Sequence, residues 1–232
     1  MTRVLVPVAV LEGGTVSGGL VDLLGTVDVT VLGYHVLPEQ TPPDQARAQF
    51  EERANSALED ISQEFRSAGG RADHRLVFTG DRRQTIDRVA DELGVAAYAI
   101  TGATGTVDSL LVALSGDVDI ANILEFVTAL VGERDIGVTL LATGERTAAR
   151  LEDAAGKLRE AGIETETRAA EGNPFDALVD AVPGHDAVVI GESAPSLASL
   201  VFGETADRVA AASVGPVLVV QRDGTETNGE GG

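Results

Sequence analysis

The chain has 232 residues, 44% of them apolar and only 3% aromatic, so a buried core has to be built from Val, Leu, Ile and Ala. Its 37 acidic and 17 basic residues give a net charge of -20, which excludes a nucleic-acid binder working through a basic face and disfavours an anionic membrane surface as partner. With no cysteine, disulfide scaffolds, thiolate zinc sites and cysteine nucleophiles are excluded as well. No run approaches about 18 apolar residues, and Arg3 opens a strand with no leader-like stretch before it, so a cytoplasmic protein without membrane insertion is expected. Lys157 is the single lysine. Acid excess with so little lysine reads as adaptation to concentrated salt, which screens the self-repulsion of such a charge.

In chain order, RVLVPV (3–8) and the stretch 27–36 read as strands. A long helix follows Pro42 and Pro43, with Phe50, Ala54, Leu58, Ile61 and Phe65 on one face and Gly69-Gly70 at its end. Gly13-Gly14 and Gly18-Gly19 read as flexible turn residues. Next come a strand at 71–78, a turn at 79–81, a helix with Ile86, Val89, Ala90 and Leu93 inward, and a short strand at 96–100. After a connector at 101–106 the pattern starts again. SLLVAL (109–114) echoes RVLVPV, a helix spans 119–131, and a strand spans 136–142. An amphipathic helix covers 146–161, a strand 163–170 and a helix 175–182. AVVIG (187–191) leads into a Ser/Pro/Gly-bearing loop that runs to Gly203, followed by a helix at 205–212 and a strand at Pro216–Val220.

Strands alternating with helices imply a parallel sheet covered on both faces. The organisation expected is two α/β units, 1–106 and 107–222, the first lacking a last helix and strand, with 223–232 a disordered tail. The first unit carries 15 acids and 9 bases, net -6.

Ligands of such sheets bind beyond the carboxyl ends of the strands. That places Ser115-Gly116-Asp117, Ala142, Ile190-Gly191 and the following loop in view. His35, His74 and His185 are far apart and read as strand-end or loop residues rather than metal ligands. Asp117 and Asp119 read as solvated carboxylates at a helix start. Ser193, Ser196 and Ser199 have no histidine nearby, so no nucleophile–base pair assembles and no catalysis is expected.

The segment GESAPSLASLVFGETADRVAAASVGPVLVV (191–220), together with RVLVPV, resembles the universal stress protein family. The resemblance implies two Rossmann-like units of the adenine-nucleotide alpha hydrolase type. It implies a phosphate loop in which glycines and a helix N-terminus hold a nucleotide. Carried over here, the loop falls on Gly191, Ala194, Gly203, Glu204 and Thr205, with Ser115, Gly116, Asp117, Ala142 and Ile190 beside it. The loop departs from the family pattern in three ways: Ala194 replaces a glycine, Gly203 stands one residue nearer than usual, and Glu204 replaces a Ser or Thr. Ala9 and Ser115 stand where the family has a strand-end Asp. The implied protein is a non-enzymatic regulatory or sensing module that holds ATP or another adenine nucleotide weakly and associates with a membrane transporter. It is also expected to dimerise through its final strand, Pro216–Val220. An enzyme of the wider nucleotide hydrolase group and a ligand-free dimerisation module stay open beside it.

Overall fold

The computed structural model describes residues 2–37, 43–115, 118–144, 149–192 and 215–222. The expected helix at 205–212, the tail 223–232, and Gly116, Asp117, Ala194, Gly203, Glu204 and Thr205 lie outside the described residues, as do Ser193, Ser196 and Ser199.

The first half of the chain contains β1 (Arg3–Ala9), α1 (Gly18–Leu23), β2 (Asp28–Val36), α2 (Pro43–Ser67), β3 (Arg71–Thr79), α3 (Arg82–Leu93) and β4 (Ala97–Ile100). The second half contains β5 (Ser109–Ser115), α4 (Ile120–Val131), β6 (Gly137–Thr143), α5 (Leu151–Glu160), β7 (Thr165–Ala170), α6 (Pro174–Ala181), β8 (Ala187–Gly191) and β9 (Val217–Val220). The strands form one nine-stranded sheet, ordered β3-β2-β1-β4-β9-β8-β5-β6-β7. Neighbours are parallel throughout, except that β4 and β9 are antiparallel. The carboxyl ends of the strands therefore emerge at opposite edges of the sheet in the two halves.

Strands that read as unbroken apolar runs do so because both sheet faces are covered. In β1, Val4, Val6 and Val8 join one buried cluster, shared with side chains of α1, α2, α4 and α5. Leu5, on the opposite face, joins a second cluster with Ile86 and Val89 of α3 and Leu178 of α6. Helix starts follow local chemistry. The Asp81 and Asp119 carboxylates accept from the amides of Gln84 and Asn122 at 3.0 and 3.1 Å, and Asn173 accepts from the Phe175 amide at 2.8 Å.

Two expectations change. Gly18 and Gly19, read as turn residues, open α1. A six-residue helix beginning with two glycines has poor intrinsic propensity, and packing overrides it. A Cβ on Gly19 would sit 1.6 Å from the Gly105 carbonyl oxygen, so only glycine lets the connector between the halves lie against this helix. The second correction concerns the final strand. Pro216–Val220 cannot serve as a dimer contact, because β9 pairs with β8 on one side and β4 on the other, and both its edges are taken within the chain. The early stop of the first half leaves β4 as an open edge, and β9 covers it.

Arg134 ties the halves together on one face. Its guanidinium donates to the carbonyls of Asp22 (2.7 Å) and Leu23 (2.9 Å) at the end of α1, and to those of Leu130 and Val131 at the end of α4. A cation at two converging helix C-termini meets carbonyls that have no partner within their helices. The Thr26 hydroxyl adds a bond to the Leu130 carbonyl at 2.8 Å.

Candidate functional site

In the second half, three strand ends converge. Ser115 pairs with Thr143 across β5 and β6, and Ala113 with Ile190 across β5 and β8. The fold thus brings together Ser115, Ala142, Ile190 and Gly191 from the expected set. Ala142 and Ile190 are 0% and 1% exposed and belong to opposite core clusters, so each serves the site as wall rather than as polar contact. Gly191 has a packing reason to be glycine. A Cβ there would stand 3.1 Å from Val118 Cγ1 and 3.2 Å from Ile123 Cδ1.

Thr143, which sequence reasoning passed over, is a polar group at this edge. It is 5% exposed, and its buried Oγ1 has no hydrogen-bond partner among the described residues. Burying a hydroxyl unpaired costs about 1–3 kcal/mol, so the position invites a donor or acceptor from a ligand. Its signal in the sequence was weak: one threonine closing an apolar run. Beside β8, the Glu192 amide donates to the Val220 carbonyl at 2.8 Å, which ties the start of the loop to β9.

The histidines stay apart. His185 Nδ1 lies 2.9 Å from the Ala181 carbonyl, which can only accept, so that nitrogen carries a proton and donates, while Nε2 lies 2.9 Å from the Thr139 hydroxyl. His74 lies near Glu59, and His35 near Glu12. Among the described residues no three His, Asp or Glu side chains gather as metal ligands, and no helix is long and apolar enough to cross a membrane.

At the opposite edge, the ends of β1, β2 and β4 and the first turn of α3 enclose a cavity of about 220 Å³. Tyr34, Tyr98, Arg82, Pro7 and Ile86 line it. The Arg82 guanidinium carbon lies 5.6 Å from the centroid of the Tyr34 ring. Burial pushes the Tyr98 phenol pKa up, and the charges of Asp87 and Glu192 push the same way, so the hydroxyl stays protonated.

A doubly wound α/β sheet, mostly parallel, is the class this geometry defines. Within that class the chain belongs to the universal stress protein family, whose model matches residues 106–221. Solved structures share the fold across both halves. A universal stress protein from Archaeoglobus fulgidus DSM 4304 is 20% identical, with 97% of each chain covered and a TM-score of 0.66. A protein of unknown function from Pseudomonas aeruginosa PAO1 is 16% identical, covering 96% of this chain and 93% of its own, with a TM-score of 0.55. The cytoplasmic domain of a prokaryotic cation chloride cotransporter is 12% identical over 97% of each chain, with a TM-score of 0.54. No curated protein matches the sequence.

Proposed function

We propose that this chain is a non-catalytic stress-response regulator whose second half holds an adenine nucleotide or a close relative weakly. The observation that carries the reading is the buried Thr143 hydroxyl, which has no hydrogen-bond partner among the described residues, at the converging ends of β5, β6 and β8. Family membership supports the regulatory role. Weak affinity follows from the sequence of the loop. Glu204 stands where a phosphate-binding Ser or Thr is expected, and a phosphate within about 4 Å of that carboxylate meets repulsion of roughly 4 kcal/mol per unit charge near a surface. One extra charge-assisted hydrogen bond returns only about 1.5–3 kcal/mol.

Calorimetry with ATP on the full chain in molar KCl tests this. Wild-type binding should be millimolar, Glu204→Ser should strengthen it, and Thr143→Val should weaken it while raising the stability of the free protein by about 1 kcal/mol. ATP turnover should not exceed that of buffer. Micromolar wild-type affinity that Glu204→Ser fails to improve would overturn the charge argument. Binding unaffected by Thr143→Val would move the ligand away from this edge.

A second reading, regulation of a transporter from its cytoplasmic side, takes its support from the fold shared with the cotransporter domain. Recovery of the tagged chain with transporter-bearing membranes, against membranes stripped of the transporter, checks it.

A further inference from the structure

The sheet ends in β3 on one side and β7 on the other, and among the described residues no strand lies beyond either. An outer strand presents a row of backbone N–H and C=O groups to whatever approaches it. β3 is the longer of the two, nine residues against six, and its Leu76, Val77 and Phe78 are only partly buried. β3 carries two arginines, Arg71 and Arg75, against one carboxylate, Asp73. β7 and its flanks set Glu164, Glu166 and Glu171 against Arg168. In a chain of net charge -20, a second copy is therefore repelled less at β3 than at β7.

The backbone of β3 fixes which residues can pair outward. The Leu37 amide donates to the Thr79 carbonyl at 2.7 Å, so Thr79 and every second residue before it direct their backbone groups to β2. Ala72, His74 and Leu76 direct theirs outward. The Ala72 carbonyl bears this out: it accepts from Arg66 Nε at 2.9 Å and keeps a second lone pair. Side chains alternate in the same way. Ala72 and Leu76 pack on the α2 face of the sheet and Val77 on the α3 face, so Asp73 and Arg75 lie on the α3 face too.

We propose that two copies of this chain pair through β3, edge to edge and antiparallel, about a two-fold axis at His74. Ala72 then stands opposite the partner's Leu76 as a hydrogen-bonded pair, and Asp73 stands opposite the partner's Arg75. The symmetry makes each of these contacts twice. Arg75 gives one N–H to Glu92 at 2.7 Å, and a guanidinium has five. Charge selects the register. A slide of two residues is the smallest that keeps both the backbone phase and the faces. In one direction it sets Asp73 against the partner's Asp73, and in the other Arg75 against the partner's Arg75. The contact is closed, so association stops at two copies. It is independent of the nucleotide reading, which concerns strand ends in the second half.

Sedimentation equilibrium on the full chain tests this in molar KCl, where a Debye length of about 3 Å screens the long-range repulsion. At micromolar concentration the mass should be twice the 23.9 kDa of the chain. Asp73→Arg and Arg75→Asp each set like charges opposite one another, and each variant alone should dimerise about tenfold more weakly. An equimolar mixture of the two variants has opposite charges facing again and should return to the doubled mass. Arg168→Glu, on β7, should change nothing. If a single variant fails to fold, the double variant Asp73→Arg/Arg75→Asp decides instead: it should pair with itself and not with the wild type. A wild type that stays at the mass of one chain overturns the proposal. So do a dimer that survives both single substitutions, monomeric variants that do not reassociate when mixed, and loss of the dimer in Arg168→Glu.

Discussion

Asp186 fastens the connector between the halves. Its Oδ2 accepts from the amides of Asp108 and Ser109, both at 3.0 Å, and from the Ser109 hydroxyl at 2.8 Å. Burial pushes this carboxyl up, but the bonds from Ser109 and Asp108, helped by His185, outweigh burial and hold it below the usual carboxylate range. A lowered folded pKa means the stabilisation is fully present above the unfolded value of about 3.9 and fades as pH falls through the folded one. Asp186→Asn should therefore cost about 1 kcal/mol near neutral pH, the low end for charge-assisted bonds at a partly solvated site. The gap from wild type should shrink in urea titrations at pH about 3; an unchanged gap would mean that packing, not charge, is what the substitution removes. Residues of this kind were poorly legible beforehand. Gly191 was found from the sequence, although the reason visible in the fold is its packing against Val118 and Ile123. Thr143, Arg82, Tyr34 and Tyr98 were missed because three elements have to fold before the last three meet, and a lone threonine ending an apolar strand has no pattern to betray it.

Helices and strands were far more readable, since apolar runs and apolar faces report burial directly. β3, β5, α4 and β8 fall within a residue or two of the expected positions, and α3 holds the four inward residues expected of its helix. α1 escaped because its glycines lower local propensity while serving a tertiary contact. The direction and partners of β9 escaped for a different reason: VLVV fits either edge of a sheet, and pairing is decided by which edge remains open. The same strand supplies a prediction. A chain ending before Gly215 loses β9 and exposes β4 and β8 as unpaired edges, which template association. Light scattering should show its mass rising with concentration. A truncated chain that remains a stable monomer would show that the seam does not depend on β9.

At the scale of the whole molecule, charge dominates. Ion pairs such as Arg66–Glu59 and Arg75–Glu92 lie at the surface, where each contributes little and salt screens it further. The net charge of -20 is therefore not offset by pairing. The melting temperature should rise from low to molar KCl as the self-repulsion is screened; a melting temperature that ignores salt would remove the argument from charge.

The β4–β9 seam also has a consequence in time. During synthesis β4 is complete at Ile100, whereas its partner begins at Val217. At roughly 5–20 residues per second, about 6–23 s separate the two. For that interval every nascent copy carries an apolar strand edge that only its own far end is built to cover, while neighbouring chains on the same message carry the same edge. The net charge of -6 on residues 1–106 makes unfinished copies repel one another during that interval.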